Sequence, residues 1–259
     1  MKKYGLIGYP LSHSFSEKYF KEKFEREGLE DCVYENFPLS SLSDLPQLIK
    51  ANPDLCGLNV TSPHKIGVIY YIDKIDEPSK EIDAVNCIKF VNQHPVEDFF
   101  SGELSSLKVR LEGFNTDAYG FEESLKPLLK NYHKKALIIG NGGAARAVAY
   151  VLKKLDINYS IVTRKLTRKG LTYNQLNKEI LEERLIIINT TPLGTSPNIN
   201  EAPEIPYEYI TEKHLLYDLI YNPPETEFLK RGKAKGAITK NGLEMLQLQA
   251  EKAWEIWNS

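Results

Sequence analysis

Short runs of apolar residues along the chain switch between a period of two and a period near 3.6. The period of two, or a short apolar run, predicts strands at residues 4–8, 32–37, 55–60, 84–91, 135–139, 160–162, 185–189 and 215–219. Helical spacing predicts helices at residues 17–27, 42–51, 63–71 and 117–130, one ending near 155, and one at 242–257. This alternation predicts an α/β fold in which helices cover both faces of a mostly parallel sheet.

The pattern restarts near residue 116, which predicts two domains. The first covers residues 1–116 and the second covers residues 117–241, with the final helix at 242–259 packing back on the first. Between them, residues 92–112 are polar and irregular, and we expect a long hairpin excursion there without chemistry of its own.

Composition narrows the class of protein. The 259 residues are 42% hydrophobic and 26% charged, as in a globular protein, and the net charge of −2 gives no reason to expect a nucleic-acid or membrane partner. Three widely spaced cysteines (Cys32, Cys56 and Cys87) indicate a reducing compartment and no zinc site. We find no signal peptide or membrane-length apolar run, so we expect a cytoplasmic protein without a bound metal.

The segment 57–65 combines an amide, a hydroxyl and a lysine where a strand is predicted to run into a helix. Ser62 and Pro63 read as the N-cap and first residue of that helix. Lys65 then falls in the first turn, where the helix dipole disfavours a cation. A lysine in that position suggests acid/base chemistry, although a solvated lysine beside a turn is the alternative.

A glycine-rich turn, Gly140-Asn141-Gly142-Gly143-Ala144, follows one apolar strand and opens an alanine-rich helix. A dinucleotide-binding turn needs this context, because its glycines allow the tight turn and the approach of the pyrophosphate to the backbone. A purely structural tight turn is the alternative.

The residues after the next strand indicate which dinucleotide is bound. An NAD site usually has an acidic residue there, whereas this chain has Thr163, Arg164, Lys165 and Arg168. Arginine offers paired donors to a 2′-phosphate, so the pattern favours NADP over an ordinary basic loop. Residues 189–194, which include Thr190 and Thr191, end another strand and either flank the nicotinamide or form a plain turn.

Three polar groups in the first half and at the boundary are further candidates. Ser14 and Ser16 follow the first strand, where their hydroxyls either hold a carboxylate or cap a helix. Asn86 would need partners if buried. Asp117 starts a predicted helix, whose dipole stabilises an ionised carboxylate, or it simply caps that helix.

Taken together, these motifs resemble those of the shikimate dehydrogenases in order and spacing across nearly the whole chain. The matching segments are residues 13–16, 59–65, 84–86, 115–117, 140–147, 189–194, 217–221 and 242–249. The resemblance implies an N-terminal α/β substrate domain with a mixed or parallel sheet, a C-terminal Rossmann domain, and an active site in the cleft between them. It implies reversible, NADP-dependent reduction of 3-dehydroshikimate to shikimate in aromatic amino-acid biosynthesis. We expect a monomer or homodimer.

Carried over by position, the resemblance assigns roles to residues of this chain. Lys65 and Asp117 look like the catalytic pair, in which the lysine stabilises and protonates the developing oxyanion while the aspartate orients it. The implied substrate-binding residues are Ser14, Ser16, Asn59, Thr61, Asn86, Tyr221 and Gln249. The implied cofactor-binding residues are Gly140, Asn141, Gly142, Gly143, Ala144, Thr163, Arg164, Lys165, Arg168, Thr190, Thr191 and Gly242.

The chain departs from the family pattern near the serine pair. Glu17 stands where the family often has proline, and Phe20 where it often has histidine, so we expect altered packing there. Three other functions stay open: a quinate-tolerant relative that uses NAD, a more distant folate-linked dehydrogenase of similar two-domain build, and a non-catalytic nucleotide-binding redox sensor. The basic loop argues against the first, the serine pair against the second, and the joint presence of Lys65 and Asp117 against the third.

Overall fold

Two six-stranded sheets organise the chain. The computed structural model describes residues 1–11, 15–92, 109–165 and 170–259. The chain divides into two compact units, of which unit 1 comprises Met1–Thr116 with Ala250–Ser259, and unit 2 comprises Asp117–Gln249.

Unit 1 contains a mixed sheet in the order β2-β1-β3-β5-β6-β4. Strands β1 to β3 are mutually parallel, β5 runs antiparallel to both β3 and β6, and β4 runs parallel to β6. The strands are β1 (Lys2–Gly8), β2 (Cys32–Pro38), β3 (Leu55–Val60), β4 (Lys74–Ile75), β5 (Cys87–Asn92) and β6 (Val109–Phe114), and the helices are α1 (Phe15–Glu27), α2 (Leu45–Ala51) and α3 (Glu77–Ile82).

Alternation along β1 builds a core on each face of this sheet. Tyr4 and Leu6 belong to an aromatic-rich cluster that includes Phe20 and Trp257, whereas Ile7 belongs to an aliphatic cluster on β3, α2 and β6. Successive side chains of a strand point to opposite faces, so one strand supplies both clusters.

Unit 2 contains a sheet in the order β12-β11-β10-β7-β8-β9, and all its strand pairs are parallel. Counted within the unit, this is the order 6-5-4-1-2-3 of a doubly wound dinucleotide-binding sheet. The strands are β7 (Lys135–Ile139), β8 (Asn158–Thr163), β9 (Leu171–Thr172), β10 (Ile186–Asn189), β11 (Leu215–Asp218) and β12 (Ile238–Lys240), and the helices are α4 (Thr116–Leu125), α5 (Gly143–Lys154), α6 (Lys178–Glu183) and α7 (Glu227–Ala234). The α/β class predicted from the sequence is therefore confirmed.

The last helix, α8 (Leu243–Asn258), contains the point where the division into units falls, between Gln249 and Ala250. Its final turns carry Ala250, Ala253 and Trp257 into the aromatic-rich cluster of unit 1. Within the part of the chain described here, no helix is both long enough and apolar enough to cross a membrane.

Two predicted segments differ from the structure. No α-helix begins at Pro63, because residues 62–66 form turns and only a short 3₁₀ helix follows, at Gly67–Tyr71. The excursion predicted over 92–112 is also shorter than expected, since β6 already begins at Val109 and pairs antiparallel with β5. Residues 93–108, which make up the rest of it, lie outside the described ranges.

Candidate active site and cofactor turn

In unit 1, the C-terminal end of β3 lies beside the start of β5, and this brings several predicted binding residues together. The backbone N–H of Val60 donates to the carbonyl of Asn86 at 2.8 Å, and the side-chain amide nitrogen of Asn59 donates to the same carbonyl at 3.4 Å. Both asparagines are almost fully buried. The pairing of β3 with β5 thus places two amides side by side although they are far apart in sequence.

The side chain of Asn86 is anchored by the residue before Asp117. Its Oδ1 accepts the backbone N–H of Thr116 at 2.6 Å, and its Nδ2 lies 3.0 Å from the Thr116 hydroxyl. Buried amides need such partners, because an unpaired polar group costs about 1–3 kcal/mol. Thr116 was not among the residues predicted from the sequence, although its neighbour Asp117 was.

Lys65 lies in the turn after β3, half-buried, and not in a first helical turn. The helix-dipole argument made from the sequence is therefore wrong, since no α-helix starts there. Instead, the backbone carbonyl of Lys65 accepts the N–H of Val85 at 2.8 Å, one residue before Asn86. A backbone hydrogen bond beside the one that joins the two asparagines therefore holds the backbone of Lys65.

The remaining predicted substrate residues lie in both units. Ser16 is buried in the first turn of α1, and Thr61 is half-buried just after β3, where its N–H donates to Ile7 at 2.9 Å. Ser14 lies outside the described residues.

The other predicted residues belong to unit 2. Asp117 is buried at the start of α4. Tyr221 follows β11 and is half-buried, and this burial raises its pKa. Gln249, also in unit 2, is buried on α8 and donates to the Leu246 carbonyl at 3.0 Å.

In unit 2, the glycine turn sits where the strand order reverses, between β7 and β10. Gly140 has φ +109°, a backbone conformation that favours glycine, and its N–H donates to Val162 of β8 at 2.9 Å. The Thr190 hydroxyl and N–H both donate to the Ile139 carbonyl, at 2.6 and 2.9 Å. A Cβ on Gly140 would lie 2.6 Å from that hydroxyl oxygen. Ligands of open parallel sheets bind at this crevice.

The turn leads directly into α5 and leaves its first N–H groups available to an anion. Gly142 is the N-cap and provides no side-chain cap, and a Cβ at that position would meet no atom within 4 Å. Ala145 and Ala147 on α5 are fully buried, so small side chains allow the helix to pack closely on the sheet. An open, side-chain-free helix N-terminus fits the pyrophosphate of a dinucleotide.

The basic segment follows β8, beside the glycine turn. Arg164 and Lys165 are exposed, and the Thr163 hydroxyl donates to the Lys165 carbonyl at 2.6 Å. Arg168 lies outside the described residues.

On the opposite side of the glycine turn, Asn189 holds Thr191. The Thr191 hydroxyl donates to Oδ1 of Asn189 at 2.7 Å. Both flanks of the turn thus carry groups predicted to bind the cofactor.

Gly242 allows close approach of two backbone segments at the end of β11. A Cβ on Gly242 would overlap the Leu219 carbonyl, and the N–H of Gly242 donates to the Ile220 carbonyl at 3.0 Å.

The other residues of the glycine turn lie at the start of α5. Asn141 is exposed in the turn, and Gly143 and Ala144 open the helix. No group of three or more metal-ligating side chains occurs within the described ranges.

Comparison with known proteins identifies similar sequences along the whole chain. Residues 6–88 match the family model described as the shikimate dehydrogenase substrate binding domain. Shikimate dehydrogenase (NADP(+)) of Methanococcus maripaludis is 36% identical over 98% of this chain and 90% of its own length. The enzyme of the same name from Carboxydothermus hydrogenoformans is 38% identical, again over 98% of this chain and 90% of its own.

A similar solved structure is that of shikimate 5-dehydrogenase from Thermus thermophilus in complex with NADP(H) and shikimate. It is 30% identical to this chain, covers 99% of this chain and 93% of its own, and superimposes with a TM-score of 0.81.

Proposed function

Because the chain belongs to the shikimate dehydrogenase family, we propose that it catalyses the reversible, NADP-dependent reduction of 3-dehydroshikimate to shikimate. The observation that carries this proposal is that NADP-dependent enzymes of this name match 98% of the chain. The reaction is a step of aromatic amino-acid biosynthesis.

On the substrate side, polar residues of unit 1 form the larger part of the proposed binding set. Ser14 and Ser16 would hold the substrate carboxylate, and Asn59, Thr61 and Asn86 would bind the ring oxygens. The last two of the set, Tyr221 and Gln249, come from unit 2. Buried amides with backbone anchors support this proposal, because a rigid donor loses little entropy when it binds a ligand hydroxyl.

Lys65 and Asp117 are proposed as the acid/base pair. The dinucleotide, when bound, supplies the hydride that reduces the carbonyl carbon. Negative charge then develops on the carbonyl oxygen, where the Lys65 ammonium would stabilise it and deliver the proton. Asp117 would orient the ammonium and compensate its charge. In the oxidation direction, the neutral lysine would accept that proton from the hydroxyl.

For the cofactor, the turn of unit 2 would hold the pyrophosphate and the basic segment would hold the 2′-phosphate. Gly140, Asn141, Gly142, Gly143 and Ala144 would surround the pyrophosphate, a role supported by the open start of α5. Thr163, Arg164, Lys165 and Arg168 would bind the 2′-phosphate, and Thr190, Thr191 and Gly242 would flank the nicotinamide half.

The decisive experiment follows the near-ultraviolet absorbance of the reduced nicotinamide when purified protein is mixed with shikimate and either NADP⁺ or NAD⁺. We expect rapid reduction of NADP⁺ and slow reduction of NAD⁺. A preference for NAD⁺ with quinate would favour the quinate-tolerant relative, and no reduction of either by a folded protein that binds nucleotide would favour the sensor.

A charge variant tests the basic segment in the same assay. Arg164→Gln should lower the ratio of kcat/KM for NADP⁺ over NAD⁺ by about tenfold, because one charge-assisted contact to the 2′-phosphate is lost. Arg26→Gln, at an exposed arginine of α1, is the matched control. An unchanged ratio in Arg164→Gln would remove this arginine from the phosphate site.

We further propose that the protein acts in the cytoplasm as a monomer or homodimer, without a nucleic-acid or membrane partner. All three cysteines are free and Cys87 is fully buried, which fits a reducing compartment.

A further inference from the structure

One buried hydroxyl in unit 1 contacts one of the proposed substrate-binding residues. Tyr34 lies on β2 and is 2% exposed. Its Oη donates to Oδ1 of Asn59 at 2.8 Å.

The contact with Tyr34 determines which end of the Asn59 amide is a donor. With Oδ1 accepting the phenol, the amide nitrogen is directed to the Asn86 carbonyl, 3.4 Å away. An amide nitrogen carries two hydrogens, so the described contacts leave the second one for a ligand oxygen. If the phenol were removed, the amide could turn by 180°, and the substrate would meet an acceptor in place of a donor.

The ring of Tyr34 is itself held in place by aromatic neighbours. Phe20 of α1 stacks on it with centroids 4.6 Å apart and ring planes 11° apart, and the Trp257 ring lies 6.4 Å away. Phe20 is fully buried. The phenol oxygen therefore has little freedom to leave Asn59.

We propose that Tyr34 is a positioning residue for substrate binding, which acts by fixing the donor orientation of Asn59. This inference rests on the proposed function. Tyr34 should therefore affect the affinity for the polyhydroxylated carboxylate substrate but not the affinity for the nucleotide.

Tyr34→Phe tests the proposal, because it keeps the ring and removes only the hydroxyl. We expect the KM and the calorimetric Kd for shikimate to rise about tenfold, with the KM for NADP⁺ and kcat changed less than about twofold. Tyr4→Phe is the matched control, since Tyr4 is a buried tyrosine of the same aromatic-rich cluster, and it should leave all constants unchanged.

The outcomes separate this inference from the proposed function. A wild-type protein that does not oxidise shikimate would overturn the proposed function. An active wild type with an unchanged shikimate Kd in Tyr34→Phe would overturn only the role of Tyr34. A merely structural effect would lower the active fraction of enzyme and leave both constants for shikimate as they are.

A double-mutant cycle checks that the effect passes through the amide. In an Asn59→Ala background, the effect of Tyr34→Phe on the shikimate Kd should shrink to less than about threefold, because no amide remains to be oriented. An equal effect in both backgrounds would contradict the proposed route.

Should Tyr34→Phe fail to fold, Phe20→Leu provides the second test. Loss of the aromatic stack on Tyr34 should raise the shikimate Kd several-fold while the affinity for NADP⁺ stays constant. An unchanged shikimate Kd would overturn the inference.

Discussion

The side-chain amide of Asn189 donates to the buried carboxylate of Asp218 at 3.1 Å, across the ends of the neighbouring strands β10 and β11. The same carboxylate accepts the Thr226 hydroxyl at 2.6 Å and the Ile220 N–H at 3.1 Å. Asn189 in turn holds Thr191 through its Oδ1. A single buried acid thus supports the loop that flanks the glycine turn.

This acid should make stability depend on pH. Burial raises the pKa of Asp218 from 3.8 to about 6, against the opposing hydrogen bonds from Thr226, Ile220 and Asn189. Between those two values the folded state binds more protons than the unfolded state, so the free energy of unfolding falls as pH rises. We expect Asp218→Asn to remove a decline on the order of 3 kcal/mol between about pH 4 and 6.

Urea unfolding of both proteins at a series of pH values provides the measurement. His133 and His214, whose pKa values burial lowers, contribute a slope of opposite sign that is common to both proteins and cancels in the comparison. Asp44→Asn, at an exposed acid, is the control and should follow the wild type. Identical slopes for wild type and Asp218→Asn would contradict the prediction.

Two glycines of the glycine turn should respond differently to alanine. Gly140→Ala places a Cβ 2.6 Å from the Thr190 hydroxyl oxygen at φ +109°, so we expect a loss of roughly 1–3 kcal/mol of stability together with weaker NADP⁺ binding. Gly142→Ala adds a Cβ in open space and should cost less than about 1 kcal/mol of stability, because alanine is a poorer N-cap residue than glycine. It should nevertheless weaken NADP⁺ binding about tenfold if the pyrophosphate approaches this backbone.

Denaturant unfolding and NADP⁺ titration of both variants separate the two effects. Gly142→Ala with wild-type affinity for NADP⁺ would argue that the turn is purely structural. A stable Gly140→Ala would show that the loop around Thr190 can move away from the new methyl group.

Gly57 should not tolerate a side chain, because of packing rather than catalysis. A Cβ on Gly57 would overlap the indole of Trp257, whose Nε1–H donates to the Ile88 carbonyl at 3.0 Å. We expect Gly57→Ala to lose about 1–3 kcal/mol in denaturant unfolding, because α8 must shift or the indole must give up its hydrogen bond. Gly67→Ala is the control, since it would touch only the end of the flexible Leu42 side chain. Equal stability of the two variants would refute the packing argument.

Replacement of the proposed acid should affect turnover more than binding. Lys65→Met keeps the length of the side chain and removes the ammonium, so we expect kcat for shikimate oxidation to fall roughly 10²–10⁴-fold while the shikimate Kd changes little. Steady-state kinetics and calorimetry supply the two quantities. Lys80→Ala, at an exposed lysine of α3, is the matched control. Near-normal turnover of Lys65→Met would remove this residue from the proposed mechanism.

Local patterns in the sequence were sufficient to predict most of the strands. The alternation in 55–60 and the apolar run in 135–139 correspond to β3 and β7, and the glycine turn lies directly after β7. These features can be read locally because periodicity, turn residues and caps act over a few neighbouring residues. The helix predicted at 63–71 was wrong because that prediction used only such neighbouring residues. Ser62 and Pro63 supply a cap signal, but the backbone there pairs with Val85, which is distant in sequence.

By itself, then, the sequence determined the α/β class, the glycine turn and the family, because each depends on short motifs and on their order along the chain. Tertiary structure alone decided that Tyr34 supports Asn59, that Thr116 anchors Asn86 and that Asp218 holds Asn189. These pairs are 25 to 30 residues apart in the chain. A hydrogen bond between them exists only after strand pairing has brought the two side chains within about 3 Å, and no local pattern encodes that distance.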